Sequence, residues 1–193
     1  MLNTLKKYQV ILASNSPRRK ELLSGLGIDF EVRVIPHIDE SYPKELELKK
    51  VPCYIAKKKA DAYHAKDNEL IITADTVVIL HNSILEKPAD RNHAIQMLQK
   101  LSGQIHDVIT GVVISTSEKQ IAFSVQSTVD FAELTNEEIT YYVDTFRPFD
   151  KAGAYGIQEW IGYIGVKGIN GSFYNVMGLP IQRLYQELKK SFG

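Results

Sequence analysis

The sequence predicts an α/β fold: an extended mixed β-sheet with flanking helices. Strand-like and helix-like stretches trade places along the chain without the regular alternation that an all-parallel sheet requires. Two long strand-like runs, HDVITGVVISTS and QIAFSVQSTVDFAEL, follow one another after only a short polar break, as antiparallel neighbours do. The 193 residues, 44% hydrophobic and 24% charged, suit one soluble globular domain or one domain with two lobes.

Each element follows from its own pattern. Residues 8–13 (YQVILA) read as a buried strand, and residues 17–26 as a helix with Pro17 at the favoured first position. Gly27 punctuates, and the alternation in FEVRVI (30–35) marks a second strand. An acidic loop, HIDESYPKE, precedes a helix over residues 51–65 that again opens on a proline, Pro52. Residues 69–80 (ELIITADTVVIL) hold two β-rich stretches broken at Ala74-Asp75-Thr76, and His81-Asn82-Ser83 turns the chain into Ile84-Leu85. Asp90 opens a helix that stops at Ser102-Gly103. After the two long strands, Thr135-Asn136-Glu137-Glu138 has the form of a capping box for a helix to about Thr145. The stretch to Gly178 is rich in glycine, and an amphipathic helix over 180–190 closes the chain.

Charge and cysteine usage narrow the classes of function. Lys plus Arg and Asp plus Glu both number 23, a balance that argues against sequence-independent nucleic-acid binding, which needs a basic excess. Any cationic site must be local. The lone cysteine, Cys53, rules out an intrachain disulfide and a thiolate zinc site, and reads as a small apolar residue near a helix start. The N-terminal stretch lacks a signal-peptide pattern and the apolar runs fall short of a membrane span, so a cytoplasmic protein without a membrane partner is expected.

Four stretches can carry chemistry. In ASNSPRRKELL, two arginines stand at a helix start, against the macrodipole, after a loop of small hydroxyl residues. That arrangement suits an anion: Ser14 and Ser16 can donate to phosphate oxygens and Arg18 and Arg19 can supply bidentate forks, although exposed arginines at an ordinary helix start fit equally well. In TADTVV, Asp75 can hold a divalent metal or take a proton from water, or it can bond its own backbone at a turn. In EKPAD, Pro88 keeps Lys87 extended, which suits a phosphate contact or a solvated loop lysine. In DKAGAYGIQ, glycines and alanines permit close approach, and Gln158 offers an amide to a base edge; a tight packed turn is the alternative. Glu40 in the acidic loop can be a second metal carboxylate, and of Lys57, Lys58 and Lys59 only one or two can face a given site. A Walker A loop, an HExxH pair and a GxSxG elbow are all missing.

In order along the chain, ILASNSPRRKELL, IDES, YIAKKKA, TADTVV, EKP, LSG…HDVITGV and DKAGAYGIQ resemble the Maf family of nucleoside triphosphate pyrophosphatases, over about residues 11–180. The resemblance implies a single domain over 1–193, with two lobes around a cleft and kinship to the inosine triphosphatase fold. It also implies metal-dependent hydrolysis, with Mg²⁺ or Mn²⁺, of the α–β anhydride of a nucleoside triphosphate. By motif position Asp75 becomes the proton acceptor, acting with Glu40 on the metal, and Lys87 completes the catalytic set. Ser14, Arg18, Arg19 and Lys59 become phosphate contacts beside Lys87. The branch most resembled acts on dTTP and UTP, and its specificity positions fall on Arg18, Thr76 and Gln158. A thymine or uracil edge offers an N3–H donor beside a carbonyl acceptor, which a glutamine amide can meet at two points. The rival expectations are a branch acting on modified purines such as 7-methyl-GTP, and a non-enzymatic nucleotide binder that restrains septum formation. The oligomeric state stays open, with a homodimer as the assembly to test.

Overall fold

The computed structural model describes residues 3–192. A short 3₁₀ turn, Asn3–Lys7, leads into β1 (Gln9–Leu12), α1 (Pro17–Ser24) and β2 (Phe30–Val32). After the acidic loop come α2 (Val51–Asp61), β3 (Glu69–Leu80) and β4 (Ser83–Leu85). Then follow α3 (Arg91–Leu101), β5 (Ile105–Ser115), β6 (Gln120–Phe131) and α4 (Asn136–Phe146). The chain ends with α5 (Trp160–Gly165), β7 (Val166–Asn170), α6 (Phe173–Met177) and α7 (Ile181–Phe192).

Among the described residues seven strands form one mixed sheet in the order β2-β1-β3-β5-β6-β7, with β4 on β3. β1 runs parallel to both β2 and β3, whereas β4 is antiparallel to β3 and β7 to β6. β5 and β6 are neighbours joined by residues 116–119, too few for the crossover that a parallel pair needs, so they run antiparallel. The mixed α/β architecture read from the sequence is therefore the observed one. No helix among the described residues is long and apolar enough to cross a membrane.

Two compact units divide the chain. The first takes residues up to Asp75, Thr110–Val125 and the chain from Gly178 onward; the second takes Thr76–Ile109 and Gln126–Met177. The boundary falls inside β3, β5 and β6, and in β3 it falls between Asp75 and Thr76. In the first unit, Leu184, Leu188 and Phe192 form the buried stripe of α7, at helical spacing. In the second, Leu98, Leu101, Phe131 and Tyr142 are fully buried.

Two expectations about the elements are corrected. The break foreseen at Ala74-Asp75-Thr76 does not exist: β3 is continuous, and only Asp75 and Thr76 rise to half-burial within it. A mid-strand carboxylate is tolerated here because a lysine of α2 pairs with it. The helix expected over residues 51–65 ends at Asp61, and the glycine-rich stretch before Gly178, to which no element was assigned, holds α5, β7 and α6, of five or six residues each, too short to show a period. The capping box at Thr135 is present: its hydroxyl accepts the Glu138 N–H, and the Glu138 carboxylate accepts the Thr135 N–H.

Candidate active site

In the first unit, the link from β1 to α1 is a fixed turn. The hydroxyl of buried Ser14 accepts the Ser16 N–H at 3.2 Å, and the Ser16 hydroxyl caps α1 by accepting the Arg19 N–H at 3.4 Å. No acidic residue occupies the first turn of α1, so Arg18 and Arg19 stand at the positive helix end without a local counter-charge from that turn. The two arginines differ in use. Arg19 donates through Nε to the Gly178 carbonyl at 2.8 Å, and through Nη1 to the Ala74 carbonyl at 2.8 Å and the Ser14 hydroxyl at 3.4 Å. Its guanidinium thus ties α1 to β3 and to the chain leading into α7. Burial draws its pKa down, and the negative charge of Asp75 works against that. Arg18 lies half-buried beside it.

The centre of this unit is Lys59. Its ammonium lies 2.9 Å from Asp75 Oδ1 and 3.0 Å from Glu40 Oε1. Helix packing explains the placement. Gly111 of β5 lets the start of α2 approach so closely that a Cβ there would stand 2.3 Å from the Cys53 nitrogen. The Thr73 hydroxyl of β3 then donates to the Ala56 carbonyl of α2 at 2.7 Å. Asp75 lies two residues on from Thr73, on the same strand face, and Lys59 three residues on from Ala56, on the same helix face, so the two meet. The neighbouring lysines point elsewhere: Lys57 bonds Asp61 at 2.9 Å, and Lys58 bonds Asp39 at 2.7 Å and the Ser41 carbonyl at 2.9 Å. Asp39 also accepts the Ser41 N–H, so the acidic loop is latched to α2 with Glu40 held toward Lys59. The Lys58 ammonium keeps the Asp39 carboxyl well below the usual carboxylate range.

The second unit carries Thr76, Lys87 and Gln158. Thr76 is half-buried in β3, and Lys87 is exposed, with no ion pair among the described residues. Gln158 follows a 3₁₀ turn, Ala152–Ala154, and its side-chain oxygen Oε1 is buried without a hydrogen-bond partner among the described residues. An orphaned acceptor of this kind costs free energy until a donor arrives. A carbonyl oxygen facing a pyrimidine N3–H is one way to supply that donor.

Sequence reasoning missed three residues around Gln158. Lys151, buried, pairs with Asp150 at 2.8 Å and with Glu159 at 3.1 Å. The other Glu159 oxygen accepts the Tyr142 hydroxyl, and that hydroxyl in turn accepts the Gly156 N–H at 3.0 Å. Burial and the neighbouring Glu159 carboxylate raise the Tyr142 pKa, so the phenol stays protonated. Lys151 and Glu159 had a signal, since they lie in and directly after DKAGAYGIQ. Tyr142 had none, because it sits on the apolar face of α4. Elsewhere in this unit His106 is buried, with Nε2 at 2.7 Å from the Tyr155 hydroxyl and Nδ1 without a hydrogen-bond partner among the described residues; burial brings its pKa down to about 4.

A capped helix start bearing arginines, and a lysine shared by two carboxylates on neighbouring elements, define a class: an α/β protein equipped to handle a phosphorylated ligand. The family model for Maf-like protein matches residues 9–191, and the chain belongs to the Maf family. The dTTP/UTP pyrophosphatase of Parabacteroides distasonis is 62% identical over 191 residues, covering 98% of this chain and 99% of that protein. The protein of the same name from Bacteroides thetaiotaomicron is 60% identical over 192 residues, covering 98% of this chain and 100% of its own. Among solved structures, a HAM1 protein from Coxiella burnetii aligns with a TM-score of 0.46 at 13% identity, over 95% of this chain and 100% of that one, a likeness too loose to carry weight.

Proposed function

We propose that this chain is a nucleoside triphosphate pyrophosphatase that hydrolyses dTTP and UTP to the monophosphate and pyrophosphate. The observation that carries the reading is the Lys59 ammonium shared by Asp75 and Glu40, in the same unit as the Ser14–Arg19 turn. The relatives named dTTP/UTP pyrophosphatase support the choice of substrate. So does the orphaned oxygen of Gln158, an acceptor where a uracil or thymine presents N3–H.

The residues divide the work as follows. The Ser14 hydroxyl, Arg18 and the N-terminus of α1 bind phosphate, with Arg19 fixing that turn through its bonds to Ala74 and Gly178. Asp75 orients a water and takes its proton as the oxygen attacks the α-phosphorus. The bond from the α-phosphorus to the bridging oxygen breaks, and its electron pair leaves with pyrophosphate. Lys59 and Lys87 offset the charge that grows on that leaving group. Thr76 and Gln158 of the second unit recognise the base.

The reading includes a divalent cation, Mg²⁺ or Mn²⁺, held by Asp75 and Glu40 and by phosphate oxygens. The donor set fits it: both carboxylates already direct an oxygen at one cationic centre, the Lys59 ammonium, and hard oxygen donors in small number suit Mg²⁺ beside a phosphate. Among the described residues no three His, Cys, Asp or Glu side chains gather as a metal group, so the triphosphate has to supply much of the coordination. When bound, such a cation supplies Lewis-acid neutralisation of phosphate charge. The balance of 23 basic and 23 acidic residues supports an enzyme working without nucleic acid, and the lack of a signal-peptide pattern in the N-terminal stretch supports a cytoplasmic one.

Product analysis with dTTP and Mg²⁺ tests the proposal. dTMP plus pyrophosphate is expected; dTDP plus phosphate, or tight nucleotide binding without any product, overturns it. A strong preference for 7-methyl-GTP over UTP overturns the dTTP/UTP assignment and with it the role given to Gln158, while leaving pyrophosphatase chemistry in place.

A further inference from the structure

The second unit holds a closed polar network that neither the proton transfer nor the phosphate contacts use. Glu159 is its hub, with one carboxylate oxygen on the Lys151 ammonium and the other on the Tyr142 hydroxyl. The Tyr142 hydroxyl accepts the Gly156 N–H, and the Gly156 carbonyl accepts the Glu159 N–H at 3.0 Å. The turn over residues 156–159 is therefore stitched from inside at both ends. Gly156 leaves no slack: a Cβ there would lie 2.8 Å from the Glu159 carboxyl carbon and 3.0 Å from Lys151 Cε. Tyr142 is fully buried on α4 and Lys151 is buried beside the turn, so the frame is anchored on the core rather than on the surface.

Gln158 stands inside that turn, with its orphaned Oε1. We infer that Tyr142, Glu159 and Lys151 are positioning residues for pyrimidine discrimination: they fix the backbone from which Gln158 presents its amide to the base. This inference rests on the reading of Gln158 as the base contact. The physical argument is one of cost and direction. A glutamine has three rotatable side-chain bonds, and a base-edge contact is selective only if the backbone beneath it does not move. A uracil asks Gln158 for an acceptor at N3 and a donor at O4; a cytosine asks for the reverse. On a loose turn the groups packed around the amide can give way and let it rotate to serve either base. On a stitched turn those neighbours stay in place around the buried Oε1, so the amide keeps one orientation.

Tyr142→Phe removes one oxygen and almost no volume, freeing both the Gly156 N–H and a Glu159 oxygen. The kcat/KM ratio of UTP over CTP is expected to narrow about tenfold, with the UTP loss falling in KM rather than kcat. Glu159→Gln, which retains an oxygen to accept from Tyr142 while losing the charge pair, should narrow the ratio less than Glu159→Ala. A variant that is only less stable lowers the active fraction equally for both nucleotides and leaves the ratio unchanged. A folded Tyr142→Phe enzyme with the wild-type ratio overturns the inference. Gln158→Ala separates the two ideas: if it leaves the ratio unchanged, the base-contact reading fails; if it collapses the ratio while Tyr142→Phe does not, the positioning role alone fails.

Discussion

In the first unit the Lys59 ammonium, with 15% of its side chain exposed, sits between Asp75 and a Glu40 that is 54% exposed. In the second unit Lys151, at 9%, sits between Asp150 and a Glu159 that is only 20% exposed. Both are a lysine shared by two carboxylates, and the difference lies in what remains available around them. Glu40 keeps broad access to water, and Asp75, 15% exposed, pairs with Lys59 through Oδ1. Both Glu159 oxygens are taken by Lys151 and Tyr142, and the Tyr142 hydroxyl is taken again by Gly156. Charge left reachable can be handed to a ligand, whereas charge used up internally can only hold the protein in shape. On the proposed reading, one composition serves substrate in one unit and architecture in the other.

Substitutions can break or sharpen that contrast. The largest effect is expected from Asp75→Asn, which removes the proposed proton acceptor and should lower kcat by at least about 10²–10⁴-fold. Pyrophosphate release measures the loss, and a thermal melt close to wild type shows that the fold survives; near-normal turnover makes this carboxylate as structural as Glu159. Next is Lys151→Met, which leaves the mostly shielded Glu159 carboxylate without its cation and should destabilise by about 3–5 kcal/mol in urea titration. Lys59→Met leaves an equally shielded Asp75 without its cation, so it should cost comparable stability and abolish most activity besides. A Lys151→Met enzyme that loses as much kcat as Lys59→Met would erase the distinction.

Acid should act on the closed unit through His106. Burial holds that imidazole near pKa 4 against an ordinary 6.5, with Asp107 pulling weakly the other way. As pH falls through 6.5 the unfolded chain takes up this proton and the folded chain does not, so stability drops until about pH 4. The loss is roughly 3 kcal/mol across the window, and His106→Gln should flatten the slope seen in melts at successive pH values. The smallest effect is expected from Lys58→Ala in the open unit. Its bond to Asp39 is exposed, so the melting temperature should hardly move, and a clear drop would mark the acidic loop as part of the core.

The fold class was legible because it rests on local patterns: the strand–loop–helix entry at β1 and α1 with Pro17 at the helix start, the helix starts at Asp90 and Thr135, and the stripe of α7 all follow from spacing. The short elements between Trp160 and Met177 were not, since a turn or two of helix leaves no period to read. In the site, TADTVV drew attention to Asp75 but suggested a strand end, because nothing local reveals the cation that lets a carboxylate sit mid-strand. KKKA by itself left open which of its lysines faces a site, the family resemblance singled out Lys59, and the three point to three different sets of partners.

What the sequence determined alone was the class of fold, the capped entry to α1 with its two arginines, and the candidate motifs, because hydrophobic period, caps and prolines act over a few neighbouring residues. The tertiary structure decided which lysine meets Asp75, that Arg19 is spent on the Ala74 and Gly178 carbonyls, and that Tyr142 reaches Glu159. These contacts join residues 16, 159, 55 and 17 positions apart, and their existence depends on registers such as the Thr73–Ala56 bond and the close approach at Gly111. A local pattern carries no information about such registers; packing sets them.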